Sequence, residues 1–152
     1  MQKEQLFFED IVEGMELPSQ EENNMSMTTI VKFAGASGDF SPIHHDMEVA
    51  RNQGLDKPIV MGPLKMALLD RFIGDWLEPG GVLRKLSVRF RGLDYAGDSL
   101  VIEGRVNRKY NMHDNNYVEC ELWIENKERG EKTTFAKAIM CLPSKGRDET
   151  NK

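Results

Sequence analysis

Cysteine is scarce in this 152-residue chain: there are two, Cys120 and Cys141, without CxxC spacing and far from any histidine. Both sit in strand-like runs, so they read as buried free thiols, not as a disulfide or zinc ligands. Histidine is nearly as rare, with three in all, two of them adjacent. No apolar run approaches the roughly 20 residues that a membrane-spanning helix needs. The acidic opening MQKEQLFFEDIVEG has neither the apolar core nor the cleavage site of a secretory signal. A basic excess is missing too: 20 Lys and Arg against 25 Asp and Glu leave a net charge of −5. That argues against nucleic acid as a partner, because binding a phosphate backbone rests on a positive field. What is present is ordinary for a globular chain, with 39% hydrophobic residues and both charge signs interspersed. The expectation is a cytoplasmic protein of one domain over residues 1–152, with a core at about 10–142 and a flexible tail over 143–152.

Residues 1–25 are polar, with a short extended GMEL piece and then PSQEENN, which reads as a turn-rich connector. Ser26 is placed to cap a helix over Met27–Ala36, loosened at its end by Gly35 and Gly38, and Asp46 to cap a short helix over MEVARNQ. Pro63 suits the first turn of a longer helix over Leu64–Leu77, apolar around most of its circumference. From Lys85 onward the pattern changes to strict alternation. Leu86, Val88 and Phe90 oppose Lys85, Ser87, Arg89 and Arg91; three more such runs follow at Leu100–Val106, Val118–Ile124 and Thr134–Cys141. The clusters YAGD, NMHDNN and NKERGE separate the runs as turns. Helices first, one of them apolar, and then four antiparallel strands imply an α+β fold with a sheet around one helix.

The chemistry concentrates in ASGDFSPIHHD, Ala36 to Asp46. Asp39 and His44 are separated by Pro42, which biases Ser41 away from helical geometry, so a turn and not a regular helix has to bring them together. An imidazole beside a carboxylate is equipped to move a proton near neutral pH. Composition alone leaves three readings open: an acid/base pair, a polar turn that caps backbone groups, and a metal site from His44, His45 and Asp46. The last lacks the separated ligands of a closed zinc site. His45, next to His44, is expected at the surface, and His113 in a solvated loop.

The run FAGASGDFSPIHHDMEVA resembles the hydratase signature of MaoC-like dehydratases and (R)-specific enoyl-thioester hydratases, and KPIVMGPLKMALL and LSVRFRGLDYAGDSL continue the likeness in order. The resemblance implies a hot-dog fold, a long antiparallel sheet curled around the central helix. It implies that Asp39 and His44 hold one water, which adds across a trans-2-enoyl thioester or leaves a (3R)-hydroxyacyl thioester. It also implies that the Gly62 backbone N–H, at the start of the central helix beside Pro63, receives the thioester oxygen, as helix N-termini suit developing negative charge. Ser41 and Pro63 are, with Gly62, the expected oxyanion and substrate-binding residues; Ser41 stands where relatives more often carry asparagine and keeps a hydrogen-bonding side chain, Met61 stands where they carry histidine, and Asp70 where many have a small hydroxyl residue. No cofactor or metal is expected; the substrate is a thioester of coenzyme A or of a phosphopantetheine carrier. Arg84, Arg89 and Arg91, with Lys85, are candidate contacts for its phosphates, set against a plain solvated strand face. An edge-to-edge homodimer is the default assembly, and a heteromer with a second hot-dog chain is the alternative. The competing activity is a thioesterase using Asp39 or Asp70; the non-catalytic alternative is a ligand-binding or partner subunit. Asp70 either pairs with an arginine such as Arg71 across a subunit interface, the favoured reading, or meets a polar group of the substrate.

Overall fold

The computed structural model describes residues 4–146. Its elements are β1 (Gln20–Glu22), α1 (Met27–Ser37), α2 (Met47–Asn52), α3 (Gly62–Leu77), β2 (Val82–Phe90), β3 (Leu100–Met112), β4 (Asn115–Asn126) and β5 (Glu131–Leu142). Short 3-10 turns lie at Phe8–Asp10 and Pro42–His44. The five strands form one antiparallel sheet in the order β1-β3-β4-β5-β2.

The sheet has one strand more than the alternation suggested. PSQEENN is not only a connector: Gln20–Glu22 pairs with Leu100–Ile102. Three polar residues at a sheet edge bury too little to leave an alternating apolar signature, and short polar edges are how sheets avoid further pairing. The other strands follow their pattern. Leu100, Ile102 and Val106 of β3, Val118, Cys120, Leu122 and Ile124 of β4, and Ala136, Ala138 and Met140 of β5 are all buried on the face toward α3. Gly104 continues that row because a Cβ there would stand 2.5 Å from Leu122 Cδ2 and 3.2 Å from the Glu121 carbonyl. The β3–β4 turn uses His113 and Asp114, both at positive φ (48° and 59°), the combination that a two-residue hairpin with the right twist requires.

The helix caps are those the sequence offers. Ser26 Oγ accepts the Thr29 N–H at 3.1 Å, and Gly38 closes α1 in a left-handed conformation. Asp46 accepts the N–H groups of Glu48 and Val49 at 2.9 and 3.1 Å. Each such cap contributes about 1 kcal/mol. α3 starts two residues earlier than expected, at Gly62, with Pro63 in its first turn; it ends before Pro79, which holds Glu78 extended. It is not buried all round. Leu64, Leu68, Leu69, Phe72, Ile73 and Leu77 pack into the sheet, while Met66, Ala67, Asp70 and Arg71 form an exposed stripe. Removing one fully buried side chain, such as Leu69, would cost about 2–5 kcal/mol.

Around this frame, the N-terminal segment crosses the sheet by hydrogen bonds from Leu17 N to Gly104 O and from Gly14 N to Val106 O, both 2.9 Å. At the other end, Pro143 O accepts Phe8 N at 2.9 Å and Lys145 N donates to Glu9 at 3.0 Å. The expected flexible tail over 143–152 therefore begins with residues that are held in place, and its remainder, 147–152, lies outside the described residues. Among the described residues no helix is long and apolar enough to cross a membrane.

Candidate active site

The segment between α1 and α3 folds as an overhang outside the sheet. Pro42 starts the 3-10 turn Pro42–His44, and that turn carries the His44 ring back toward Asp39. His44 is 8% exposed, and its Nδ1 lies 2.9 Å from the Ile59 carbonyl oxygen. A carbonyl can only accept, so Nδ1 carries the proton and Nε2 presents a lone pair in the neutral ring. Nε2 faces Asp39 Oδ2 at 3.6 Å. That is too long for a direct hydrogen bond, and a carboxylate and an imine nitrogen are both acceptors. The separation suits a donor such as water lying between them. The other Asp39 oxygen, Oδ1, is held by the Ser41 N–H at 3.3 Å, which orients the carboxylate. Ser41 itself is exposed, and the contact comes from its backbone, not its hydroxyl.

Gly62 is the first residue of α3, so its N–H has no partner within the helix. It follows Ile59 by three residues and therefore lies within about 11 Å of it along the chain. The aromatic edge of Phe90 rests on Gly62: a Cβ there would stand 2.9 Å from Phe90 Cε2. Phe90 belongs to the inward row of β2, yet it is 47% exposed at the end of the strand. Pro63 is exposed and serves the helix start. Exposed Phe40, Met47 and Met66 add to the apolar surface of the overhang and α3.

The remaining candidates fall elsewhere. His45 is exposed, with Nε2 3.4 Å from the Phe40 carbonyl; it turns away from His44. Among the described residues no three His, Cys, Asp or Glu side chains gather as a metal-binding group. His113 occupies the exposed β3–β4 turn. Arg84 sits at a bulge in β2, out of register with its neighbours. Arg89 lines a hollow of about 690 Å³ on the sheet face opposite α3, with Arg105, Lys132, Lys137, Trp123 and Phe135. Arg91 is exposed just past β2, its N–H on the Thr133 carbonyl at 2.8 Å. The three arginines thus do not converge on one point. Asp70 is exposed, and within the chain Arg71 is bound by Glu22.

The sequence reading missed the polar cluster beneath the overhang. Lys65, in the first turn of α3, is 2% exposed, and its Nζ donates to Asp94 Oδ2 at 2.7 Å and to the Gly92 carbonyl at 3.0 Å. Asp94 is fully buried and also accepts from Asn126 at 2.9 Å and Thr133 at 2.7 Å. Asn126 and Arg129 both donate to Asp98, at 2.7 and 3.1 Å. A lysine within an apolar helix and an aspartate in a turn give no local sign of being partners.

Comparisons with known proteins place the chain in a family and a fold. The chain is 32% identical over 79 residues to the 3-oxo-4,17-pregnadiene-20-carboxyl-CoA hydratase beta subunit of Mycobacterium tuberculosis, covering 52% of this chain and 61% of that one. It is 34% identical over 76 residues to the mitochondrial 3-hydroxyacyl-(acyl-carrier-protein) dehydratase of Arabidopsis thaliana, covering 50% and 45%. The matched segments thus span about half of each curated relative. Among solved structures, R-hydratase PhaJ1 from Pseudomonas aeruginosa superposes with a TM-score of 0.82 at 22% identity, over 93% of this chain and 88% of that one. At that identity the likeness establishes the fold, a hot-dog sheet around a helix. The MaoC like domain model matches residues 10–125, from the N-terminal strap through the Asp39–His44 overhang and α3 into β4, and the chain therefore belongs to the MaoC-like domain family.

Proposed function

We propose that this protein adds water to trans-2-enoyl thioesters, or removes it from (3R)-3-hydroxyacyl thioesters, with Asp39 and His44 as the acid/base pair. The observation that carries the reading is the pairing of a lone-pair-bearing His44 Nε2 with Asp39 Oδ2 at 3.6 Å, its tautomer set by the Ile59 carbonyl. A water between them donates to both. As its oxygen bonds to the β-carbon, one of the pair takes its proton and the double-bond electrons move toward the thioester oxygen. The Gly62 N–H receives that oxygen, and the α-carbon then takes up the proton. The net change is H and OH across the double bond, and the thioester stays intact. No metal or cofactor takes part in these steps.

The substrate carrier is coenzyme A or a phosphopantetheine-bearing protein; Arg84, Arg89 and Arg91 do not converge, so they are candidate phosphate contacts as separate residues and not as one cluster. A second hot-dog chain completes the site. In support, among the described residues the edge of β2 away from β5 has no strand beside it, apolar Phe40, Met66 and Phe90 are exposed near the overhang, and the mycobacterial relative is described as a beta subunit. An identical chain is the simpler partner, and a distinct one is the alternative.

The test is an absorbance assay for loss of the enoyl-thioester double bond, run with short, long and ring-bearing acyl chains on both carriers. Release of free thiol without loss of the double bond would instead identify a thioesterase. Silence in both assays, with and without a candidate partner chain, would leave a binding role.

A further inference from the structure

We propose that Lys65 and Asp94 are positioning residues for this site: their buried ion pair fixes where the Gly62 N–H and the His44 ring stand relative to each other. The inference rests on the hydration reading for its kinetic consequence, and on geometry for the rest.

A lysine in the first turn of a helix faces the positive end of the helix dipole, which disfavours it. Lys65 is also buried, at 2% exposure, and so is its partner Asp94, at 0%. Taking two charges out of water costs several kcal/mol per ion, and apolar replacements of buried pairs are often neutral or stabilising. Stability alone therefore gives little reason for the pair. Its connections supply another. Lys65 is the fourth residue of α3, and its Nζ reaches Asp94 Oδ2 and the Gly92 carbonyl at 2.7 and 3.0 Å. These bonds tie the turn that begins with Gly62 to the strap between β2 and β3.

The same strap carries the other half of the site. The Asp94 carbonyl accepts the Val60 N–H at 2.7 Å, Ile59 forms a bridge with Tyr95, and Ala96 N donates to Pro58 O at 2.9 Å. Ile59 then holds the His44 ring by its carbonyl on Nδ1 at 2.9 Å, and the turn just before it by its N–H on the Ile43 carbonyl at 3.2 Å. One residue, Asp94, is thus bonded through its side chain to the helix that presents Gly62 and through its backbone to the segment that orients His44. Asn126, Thr133 and Arg129 fix Asp94 to β4, to β5 and to the turn between them. Directional bonds set register in a way that an apolar contact of equal volume does not.

The discriminating variant is Lys65→Met/Asp94→Leu, which removes both charges and keeps the volume apolar. Two readings are taken: steady-state hydration kinetics, and the His44 Nδ1–H resonance by NMR, whose protection from exchange reports the bond to Ile59. The expected result is a folded protein by circular dichroism, with a Tm below that of the parent because Asn126 and Thr133 lose their Asp94 acceptor. Its kcat should fall at least tenfold, its KM should stay within about twofold, and the Nδ1–H should be exchange-broadened. Parent-like kcat together with a protected Nδ1–H would overturn the inference. Should the double variant not fold, Lys65→Gln, which drops the charge and shortens the reach, carries the same two readings and must show the same signs. If the parent itself has no hydratase activity, the functional reading fails, and the Nδ1–H comparison alone still decides whether the pair positions His44.

Discussion

A buried histidine whose Nδ1 is committed to a carbonyl can act only through Nε2, and at His44 that atom looks at Asp39. Replacing either partner, as Asp39→Asn or His44→Ala, should lower turnover by about 10²–10⁴ while the fold persists, the usual cost of losing an acid/base group. Combining the two should cost far less than the product of the single effects, because both act on one water. Steady-state rates with circular dichroism check this, and near-parental turnover in either single variant would place the chemistry elsewhere. The two cysteines make a second contrast at this scale. Burial pushes the Cys120 thiol from 9.0 up to about 12, while Cys141 is half-buried. The folded state holds the Cys120 proton more tightly than the unfolded chain. That contribution to stability is complete below about pH 9 and is lost as pH rises through 12. At pH 8 a thiol reagent should therefore label native protein at Cys141 and reach Cys120 only on unfolding, read by mass spectrometry.

Among the elements, those with one buried face were legible from the sequence. The strands from Lys85 onward alternate because every second residue meets α3, and the caps at Ser26 and Asp46 announce their helices. What escaped has physical reasons. β1 is a polar edge of three residues, and the outward stripe of α3 is hidden in the sequence by Met66 and Ala67, which are apolar but exposed. The Asp39–His44 turn was legible through Pro42, whereas Lys65 and Asp94 meet only once the strap after β2 folds over the helix start. Phe90 has its own consequence for α3. In Gly62→Ala the new methyl meets the Phe90 ring edge at 2.9 Å, and that ring is half-exposed and free to shift. The variant should fold normally and lose about 10- to 100-fold in kcat/KM, since displacements near 1 Å cost on that order. Adding Phe90→Leu should recover part of the loss; full activity in Gly62→Ala alone would show that Phe90 and Gly62 are not set against each other for catalysis.

At the scale of the whole molecule, the sheet ends in β1 at one side and β2 at the other, and among the described residues β2 offers the longer open edge. Sedimentation should therefore give a species of at least twice 17.4 kDa, or a 17.4 kDa chain that hydrates enoyl thioesters only when a second hot-dog chain is added. A fully active 17.4 kDa species would remove the need for a partner. The strand order also bears on how the chain reaches its shape. β3, β4 and β5 follow one another through short turns, so their pairing closes small loops. β1 waits for Gln20 to meet Ile102, and the overhang waits for Ile59 to meet Tyr95. Closing longer loops costs more entropy before any contact repays it. The three-stranded meander is thus expected to pair early in the folding reaction, and the overhang to dock late. Amide hydrogen exchange in the native protein should rank the same way, with the Val118–Ile124 amides opening only on global unfolding and those of Val60 and Ala96 opening sooner. A protein that assembles its reactive groups last can lose them first, so mild denaturant should abolish turnover while the meander is still folded.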